Sequence, residues 1–255
     1  MADRLRVRGS VRNAVVWHSV RQTLNDLSAT TGEQQLDVLD VGGGTGGFAV
    51  PIAVLGHRVT VVDSSPDSLA ALERRATDSG VTDFVRGVQG DAARLTEVIG
   101  SDTFDMVICH SVIEMVDDAA AVLQAVAGSL RPGGIVSLVA ANRIAAVLHR
   151  AVAGRFDEAL HALRDPLGRY GANDPVPRRF SLHDLETLVT AAGLVVVGAH
   201  GSRVFADVVP GSLFDVDPQS VDALMAVELE AAEVPALREI ATQLHVLARQ
   251  PDRSS

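Results

Sequence analysis

One cysteine, Cys109, in 255 residues leaves no internal disulfide to be made. Aromatic residues amount to only 4%, so the core has to be built from Val, Leu and Ala. No run of 18 apolar residues exists. The best candidate, Ile135 to Leu148, is interrupted by Asn142 and Arg143, which excludes a helix long enough to span a bilayer. The opening segment 1-MADRLRVRG-9 lacks the apolar stretch of a secretory signal, so a cytoplasmic protein with no membrane partner is expected. Eight histidines are scattered without HExxH, CxxC or a tight His/Asp cluster, so no metal site is expected. Internal repeats and low-complexity tracts are missing too. A net charge of -10 and a pI near 5.2 give no global attraction to nucleic acid.

What the chain does have is 47% hydrophobic residues and the stretch 36-LDVLDVGGGTGGFAVPIAVLGHRVTVVDSS-65. It reads as strand, glycine loop, helix, strand and acid. Five of the six residues Gly42 to Gly47 are glycine, which rules out a regular element and lets the backbone come close to a ligand. Such a βαβ half binds nucleotide-like ligands at the carboxyl ends of its strands. Gly42-x-Gly44-x-x-Gly47 followed by Asp63 satisfies a dinucleotide fingerprint. Asp40 argues for a different ligand. A pyrophosphate wants bare amides at a helix N-terminus and no neighbouring anion, whereas a carboxylate at Asp40 suits a cation. Asp63, closing the second strand, suits the two hydroxyls of a ribose in either case.

Beyond that half the alternation continues. Pro66 to Ser79 is predicted helical, capped by Ser64 or Ser65. Phe84 to Val88 and Phe104 to Cys109 are predicted strands, the second ending in 110-HSVIEM-115, with Cys109 facing the core. Asp118 to Leu130 is a helix that stops at a 131-RPGG-134 turn, and Ile135 to Ala140 is a fifth strand. Alternation of this kind means a parallel sheet wound on both faces. The pattern then breaks. A helix over Ile144 to Val152 leads into the Pro/Gly-rich 165-DPLGRYGANDPVPRRF-180. Ser181 starts a helix to Ala192 stopped by Gly193, Leu194 to Ala199 is a strand, Gln219 to Ala232 a helix and Thr242 to Arg249 a last strand. Long insertions of this sort tend to be functional. Pro51 is tolerable where it stands if the helix after the glycine loop begins near Thr45 or Gly47.

The run 40-DVGGGTG-46 resembles motif I of class I methyltransferases that use S-adenosylmethionine (SAM). Residues 9 to 249 resemble one bacterial subgroup, the tRNA 5-carboxymethoxyuridine methyltransferases, through 11-VRNAVVW-17, 110-HSVIEM-115, 152-VAGRFD-157, 201-GSRVFAD-207 and the tail from Leu224 to Arg249. The resemblance implies a Rossmann-like, doubly wound, seven-stranded α/β sheet whose last strand inserts antiparallel. It also implies an N-terminal helix and an insertion after strand 5 that form a lid. One domain over 10–250 follows: a helical lid at 10–35, a SAM-binding half at 36–141, a substrate-lid insertion at 142–180, and sheet completion at 181–250. The cofactor implied is SAM, leaving as S-adenosylhomocysteine (SAH). Carried over by residue, Arg12, Gly42, Gly44, Asp63, Asp91 and His110 belong to the SAM site beside Asp40. Arg12 would meet the SAM carboxylate, Asp63 the ribose, and Asp91 the adenine amino group.

The implied reaction is methyl ester formation on a carboxylate, of tRNA 5-carboxymethoxyuridine or of a small molecule. An ionised carboxylate needs no general base, only a cation to hold it. Arg203 is the first candidate, followed by Arg143, Arg178 and Arg179. A hydroxyl acceptor would instead require His110 as base. The insertion departs from the family's lysine run: it offers only Arg164, Arg169, Arg178 and Arg179 among Asp165 and Asp174. O- or N-methylation of a small metabolite therefore stays open, as do, more distantly, an NAD-binding oxidoreductase and a SAM-binding protein without turnover. Oligomeric state is not legible.

Overall fold

The computed structural model describes residues 2–100, 103–209 and 218–252. A long helix, α1 (Ala2–Thr31), comes first. Its buried Val16, Val20, Leu24 and Leu27 recur every three to four residues, the spacing that puts them on one face. There follow β1 (Asp37–Val41), α2 (Ala49–Val54), β2 (Arg58–Asp63), α3 (Pro66–Asp78), β3 (Val85–Gln89), α4 (Leu95–Ile99), β4 (Phe104–His110), α5 (Ala119–Ser129) and β5 (Leu130–Ala141). After β5 come α6 (Arg143–Val152), α7 (Phe156–Arg164), α8 (Leu182–Ala191), β6 (Val195–Ser202), α9 (Pro218–Ala232), α10 (Pro235–Arg238) and β7 (Gln243–Arg249).

The strands form one sheet in the order β3-β2-β1-β4-β5-β7-β6. β1 pairs in parallel with β2 and β4, β2 with β3, and β4 with β5. β7 runs antiparallel to β5. The Gly133 amide donates to the Gln250 carbonyl at one end and the Asn142 amide to Thr242 at the other, so numbers fall along β7 as they rise along β5. Central parallel strands are covered on both faces and therefore read as continuous apolar runs. Val38, Leu39 and Val41 of β1 and Met106 to Cys109 of β4 are fully buried.

The local signals act as their chemistry requires. Ser65 caps α3 by accepting from the Ser68 amide, with Pro66 at the first helical position. Ser181 and Asp184 cap α8 reciprocally: the Ser181 hydroxyl accepts from the Asp184 amide, and the Asp184 carboxylate accepts from the Ser181 amide. Pro51 lies in the first turn of α2, where its missing N–H costs little.

Two expectations need correction. The 131-RPGG-134 segment is not a turn ahead of the fifth strand but an irregularity inside it. Leu130 pairs with Phe104 and Ile135 with Met106, so four residues stand opposite the single Asp105 and bulge out, with Gly133 at φ 76°. The insertion also carries a second helix, α7. The loop behind it is built around Asp174. The Arg179 guanidinium donates to both Asp174 oxygens at 2.6 and 2.9 Å, and the Tyr170 and Val176 amides donate to the same carboxylate. Arg150 stacks 3.5 Å over the Tyr170 ring.

The chain clusters into two compact units. One comprises Met1–Ser19, Ala140–Leu185 and Ala199–His245; the other comprises Val20–Val139, Glu186–Gly198 and Val246–Ser255. Among the described residues no helix is long and apolar enough to cross a membrane.

Candidate functional site

In the unit that holds β1 to β4, the strand ends deliver the glycine loop, Asp63, Asp91 and His110. The loop turns through Gly42, Gly44 and Gly46 at φ 69°, 55° and 77°, a region that side chains with a Cβ rarely enter. At Gly42 a Cβ would lie 2.6 Å from a Val112 methyl, and at Gly43 it would lie 2.5 Å from the Asp40 carboxyl. Above Gly44 and Gly47 the space is open: the nearest atom to a Cβ at Gly44 is an Asp63 oxygen 3.8 Å away, and Gly47 has none within 4 Å. The loop is thus packed tightly on its inner side and bare on its outer side.

Asp63 fixes that loop. Its Oδ2 accepts from the Gly44 amide and its Oδ1 from the Ser65 amide, each at 2.9 Å. Its own carbonyl accepts from the Gly90 amide. A carboxylate has about four acceptor positions, so two used by amides leave capacity for two ribose hydroxyls. Asp40 is buried beneath Gly43. Burial, and secondarily the charge of Asp63, push its carboxyl up to about 7. A buried acid facing a second acid, under an open loop, is a place where an arriving cation gains most. This donor set fits a nucleoside bearing positive charge, as SAM does, better than a pyrophosphate. Asp91 uses Oδ1 to accept from the Ala93 amide and so caps a 3-10 turn over Ala92–Arg94.

His110 ends β4. Its Nε2 lies 2.8 Å from the Ser137 hydroxyl, and its ring meets Phe48 edge-on with centroids 4.7 Å apart. Burial drives its pKa down to about 3, so the imidazole is neutral at pH 7 and a weak base. Cys109 beside it is fully buried, and burial pushes its thiol up; it is no nucleophile.

The other unit holds Arg12 and Arg203, which the structure brings together on Asp207. Arg12 Nη2 lies 2.9 Å from Asp207 Oδ1, and Arg203 Nη2 lies 2.6 Å from Oδ2. Among the described residues, two guanidinium groups thus share one carboxylate. His149 is close enough to feel both Asp207 and Arg203, though burial dominates and lowers its pKa. Among the described residues, Ser111 and Arg203 are the two non-glycine residues at positive φ, 56° and 63°. Backbone strain of this kind concentrates at working sites. Here it falls on Arg203 itself and on the neighbour of His110.

Glu228 is a residue that sequence reasoning passed over. It is fully buried in α9, and its two oxygens accept from the amides of Val204, Phe205 and Ala206 at 2.6 to 2.9 Å. It thereby shapes the segment carrying Arg203 and Asp207. The signal was available: Glu228 precedes the buried Ala231 and Ala232 by three and four residues and shares their face. Ser137, inside an apolar strand, and Asp207, at the end of 201-GSRVFAD-207, were also missed. The structure withdraws Arg179 from the list of candidate acceptor cations. Its side chain is 9% exposed and committed to Asp174, which is fully buried. Arg143 donates to the Asp165 carbonyl. Among the described residues no group of three His, Cys, Asp or Glu side chains is placed to hold a metal.

Residues 39–138 match the family described as "Methyltransferase domain". The chain is 31% identical to the tRNA 5-carboxymethoxyuridine methyltransferase of Escherichia coli (strain K12) over 247 residues, 96% of this chain and 90% of that protein. It is 39% identical over 119 residues to the ubiquinone biosynthesis O-methyltransferase of Xanthomonas axonopodis pv. citri (strain 306), 46% of this chain and 48% of that one. Among solved structures, magnesium protoporphyrin IX methyltransferase from Synechocystis PCC 6803 with bound SAH superposes with a TM-score of 0.59 at 15% identity, covering 94% of this chain and 86% of that chain. At that identity the likeness is one of fold.

Proposed function

The chain belongs to the class I SAM-dependent methyltransferases, and on that premise we propose that it methylates a carboxylate, forming a methyl ester. That it is a methyltransferase with SAM as cofactor follows from the relatives; the acceptor and the residue roles are the proposal. When bound, SAM supplies a methyl group on a sulfonium that is already a good leaving group. The chain has to hold and orient both partners, and effective molarity accounts for most of the acceleration.

What supports the carboxylate reading is the setting of His110, whose Nε2 lies 2.8 Å from the Ser137 hydroxyl and whose ring packs edge-on against Phe48, with burial lowering its basicity. A hydroxyl acceptor needs a base with a pKa near the working pH, and an imidazole at about 3 is far from that. A carboxylate arrives already ionised. It needs a cation, and among the described residues the Arg12–Asp207–Arg203 cluster sets two guanidinium groups against one carboxylate. In this reading Asp63 holds the ribose, Asp40 the cationic end of the cofactor, and Asp91 the adenine side. Gly42 and Gly44 let the backbone approach. Arg12 takes the carboxylate of SAM, Arg203 that of the acceptor, and His110 is a neutral hydrogen-bonding wall.

The 5-carboxymethoxyuridine of tRNA is the first acceptor to test, because the Escherichia coli relative is named for it. A second reading, a small carboxylic acid, draws on the charge distribution. All 22 basic residues are arginine, the net charge is -10, and Arg179 is spent on Asp174. Phosphate recognition rests on exposed cations. The test is methyl transfer from labelled SAM to undermodified tRNA and to a panel of small acids, with the product treated with mild base. A base-labile methyl group on either acceptor supports the proposal. Base-stable methylation at a hydroxyl or nitrogen, with carboxylates inert, would overturn it.

A further inference from the structure

The insertion contains a helix that is packed inside out. α6 and α7 contact one another closely, and their buried positions are small: Ala145 and Ala146 on α6, Ala159 and Ala162 on α7. The large apolar side chains of α7 point the other way. Phe156 is 71% exposed, Leu163 60% and Leu160 44%. Successive spacings of four and three residues place these three on one line. Val152 before α7 and Leu167 after it are exposed as well and add apolar surface at either end. Contiguous apolar surface of this kind marks an interaction site rather than ordinary surface.

The charges beside the stripe say what covers it. Asp157 and Arg164 stand two turns apart on the same flank of α7, on either side of Leu160 and His161. Together with Asp165 these residues line a groove of about 300 Å³. Among the described residues neither Asp157 nor Arg164 has an ion-pair partner, while their neighbours Glu158 and Asp165 are taken by Arg150 and Arg169. When two identical helices pack antiparallel about a two-fold axis, the same flank of each meets the other. An axis passing between Leu160 and His161 brings Asp157 of one copy opposite Arg164 of the second, and the reverse. The surface is therefore complementary to itself in charge about an apolar stripe, as an isologous contact requires. We infer that α7 is a homodimer surface, with the apolar stripes of two chains packed against each other and two Asp157–Arg164 pairs at the flank.

The dimer surface lies in the insertion expected to form the substrate lid, and association is read without any assay of methyl transfer. One short helix and its ends make a contact at the small end of specific interfaces, below about 1,200 Å², so association in the micromolar range is expected. The test is sedimentation of the full chain from about 1 to 500 μM, a span set around the expected affinity. The mass should rise from 26.8 kDa toward twice that value. Asp157→Arg and Arg164→Asp should each weaken association roughly tenfold or more, and the two together should restore it. Leu160→Glu with Leu163→Glu should abolish it. Circular dichroism of each variant separates lost contact from lost helix. As a second readout, Leu160→Cys should cross-link two chains under mild oxidation, because the native Cys109 is buried. Wild-type chains that stay monomeric throughout would overturn the inference. So would a dimer indifferent to the Leu160 and Leu163 changes, or well-folded single charge reversals that are not rescued in the double variant.

Discussion

Asp37 and Asp40 lie three residues apart on one strand, and their surroundings are opposite. At the foot of β1, Asp37 accepts from Arg58 Nε and Arg131 Nη2, each at 2.7 Å, and Arg131 reaches on to Asp105. The hydrogen bond from Arg58 is the largest of the influences that hold the Asp37 carboxyl below the ordinary range, against the opposing effect of burial. At the mouth, Asp40 has Asp63 for a neighbour, and burial raises it to about 7. One end of the strand is an acid supplied with cations by the chain. The other is an acid with no ion-pair partner among the described residues. A fold tolerates a buried carboxyl with a raised pKa where a ligand, not stability, is the gain.

The sharpest way to break this contrast is to remove the mouth acid. Asp40 binds its proton more tightly folded than unfolded. Stability should therefore fall as pH rises from about 4 through about 7, then level off. The whole loss should reach roughly 4 kcal/mol, at ~1.4 kcal/mol for each tenfold difference in proton affinity. Asp40→Asn should recover a large part of that at pH 8, raising Tm while weakening SAM binding. Chemical denaturation beside SAM titration checks it. A variant that loses both stability and affinity would mean that Asp40 is a structural residue.

Next comes the loop. Gly42→Val forces a branched Cβ into the Val112 methyl at positive φ. SAM binding should drop by at least a hundredfold, about 3 kcal/mol, in a chain that calorimetry still finds folded. Asp63→Ala should cost about ten- to hundredfold in SAM affinity. It would remove the proposed ribose contacts, of about 1.5–3 kcal/mol, and removes the acceptor that positions the Gly44 amide. Affinity unchanged in this variant would remove Asp63 from the site.

The smallest effect belongs to the foot. Arg131→Ala should lower stability by about 1 kcal/mol, because the guanidinium is partly exposed and screened, and should leave SAM affinity unaltered. The Asp37 contribution is present above the unfolded carboxylate pKa and lost as pH falls through the lowered folded value. The variant should therefore show a shallower acid limb. A change in SAM affinity here would mean that the two ends of β1 are not independent.

Local and periodic features were legible in advance: the glycine loop, Asp63 at its strand end, the Ser65 and Ser181 caps, the alternation through β5 and a late strand near the end of the chain, whose antiparallel direction came only from the family resemblance. The contrast between Asp37 and Asp40 was not. It depends on Arg58 and Arg131, 21 and 94 residues further along the chain from Asp37. The same reason hid the shared Asp207, which joins Arg12 to Arg203 across nearly 200 positions. Arg179 misled because a Pro/Gly-rich segment with arginines reads as a solvated loop, whereas Asp174 gathers it into a packed one. α7 escaped notice because its large apolar residues face outward and its inner face is only alanine, so the pattern did not announce a core helix.

Asp40 should lose its proton and become a carboxylate when cofactor binds, and that change can be measured directly. SAM titrated calorimetrically from about pH 5.5 to 6.7, a range in which an α-amino group of pKa ~7.7–8.0 stays largely protonated, should bind more tightly as pH rises. The slope should approach tenfold per pH unit well below pH 7, with close to one proton released per SAM bound at the acid end, and both effects should vanish in Asp40→Asn. Affinity that does not vary with pH and binding without proton release in the wild-type chain would contradict it.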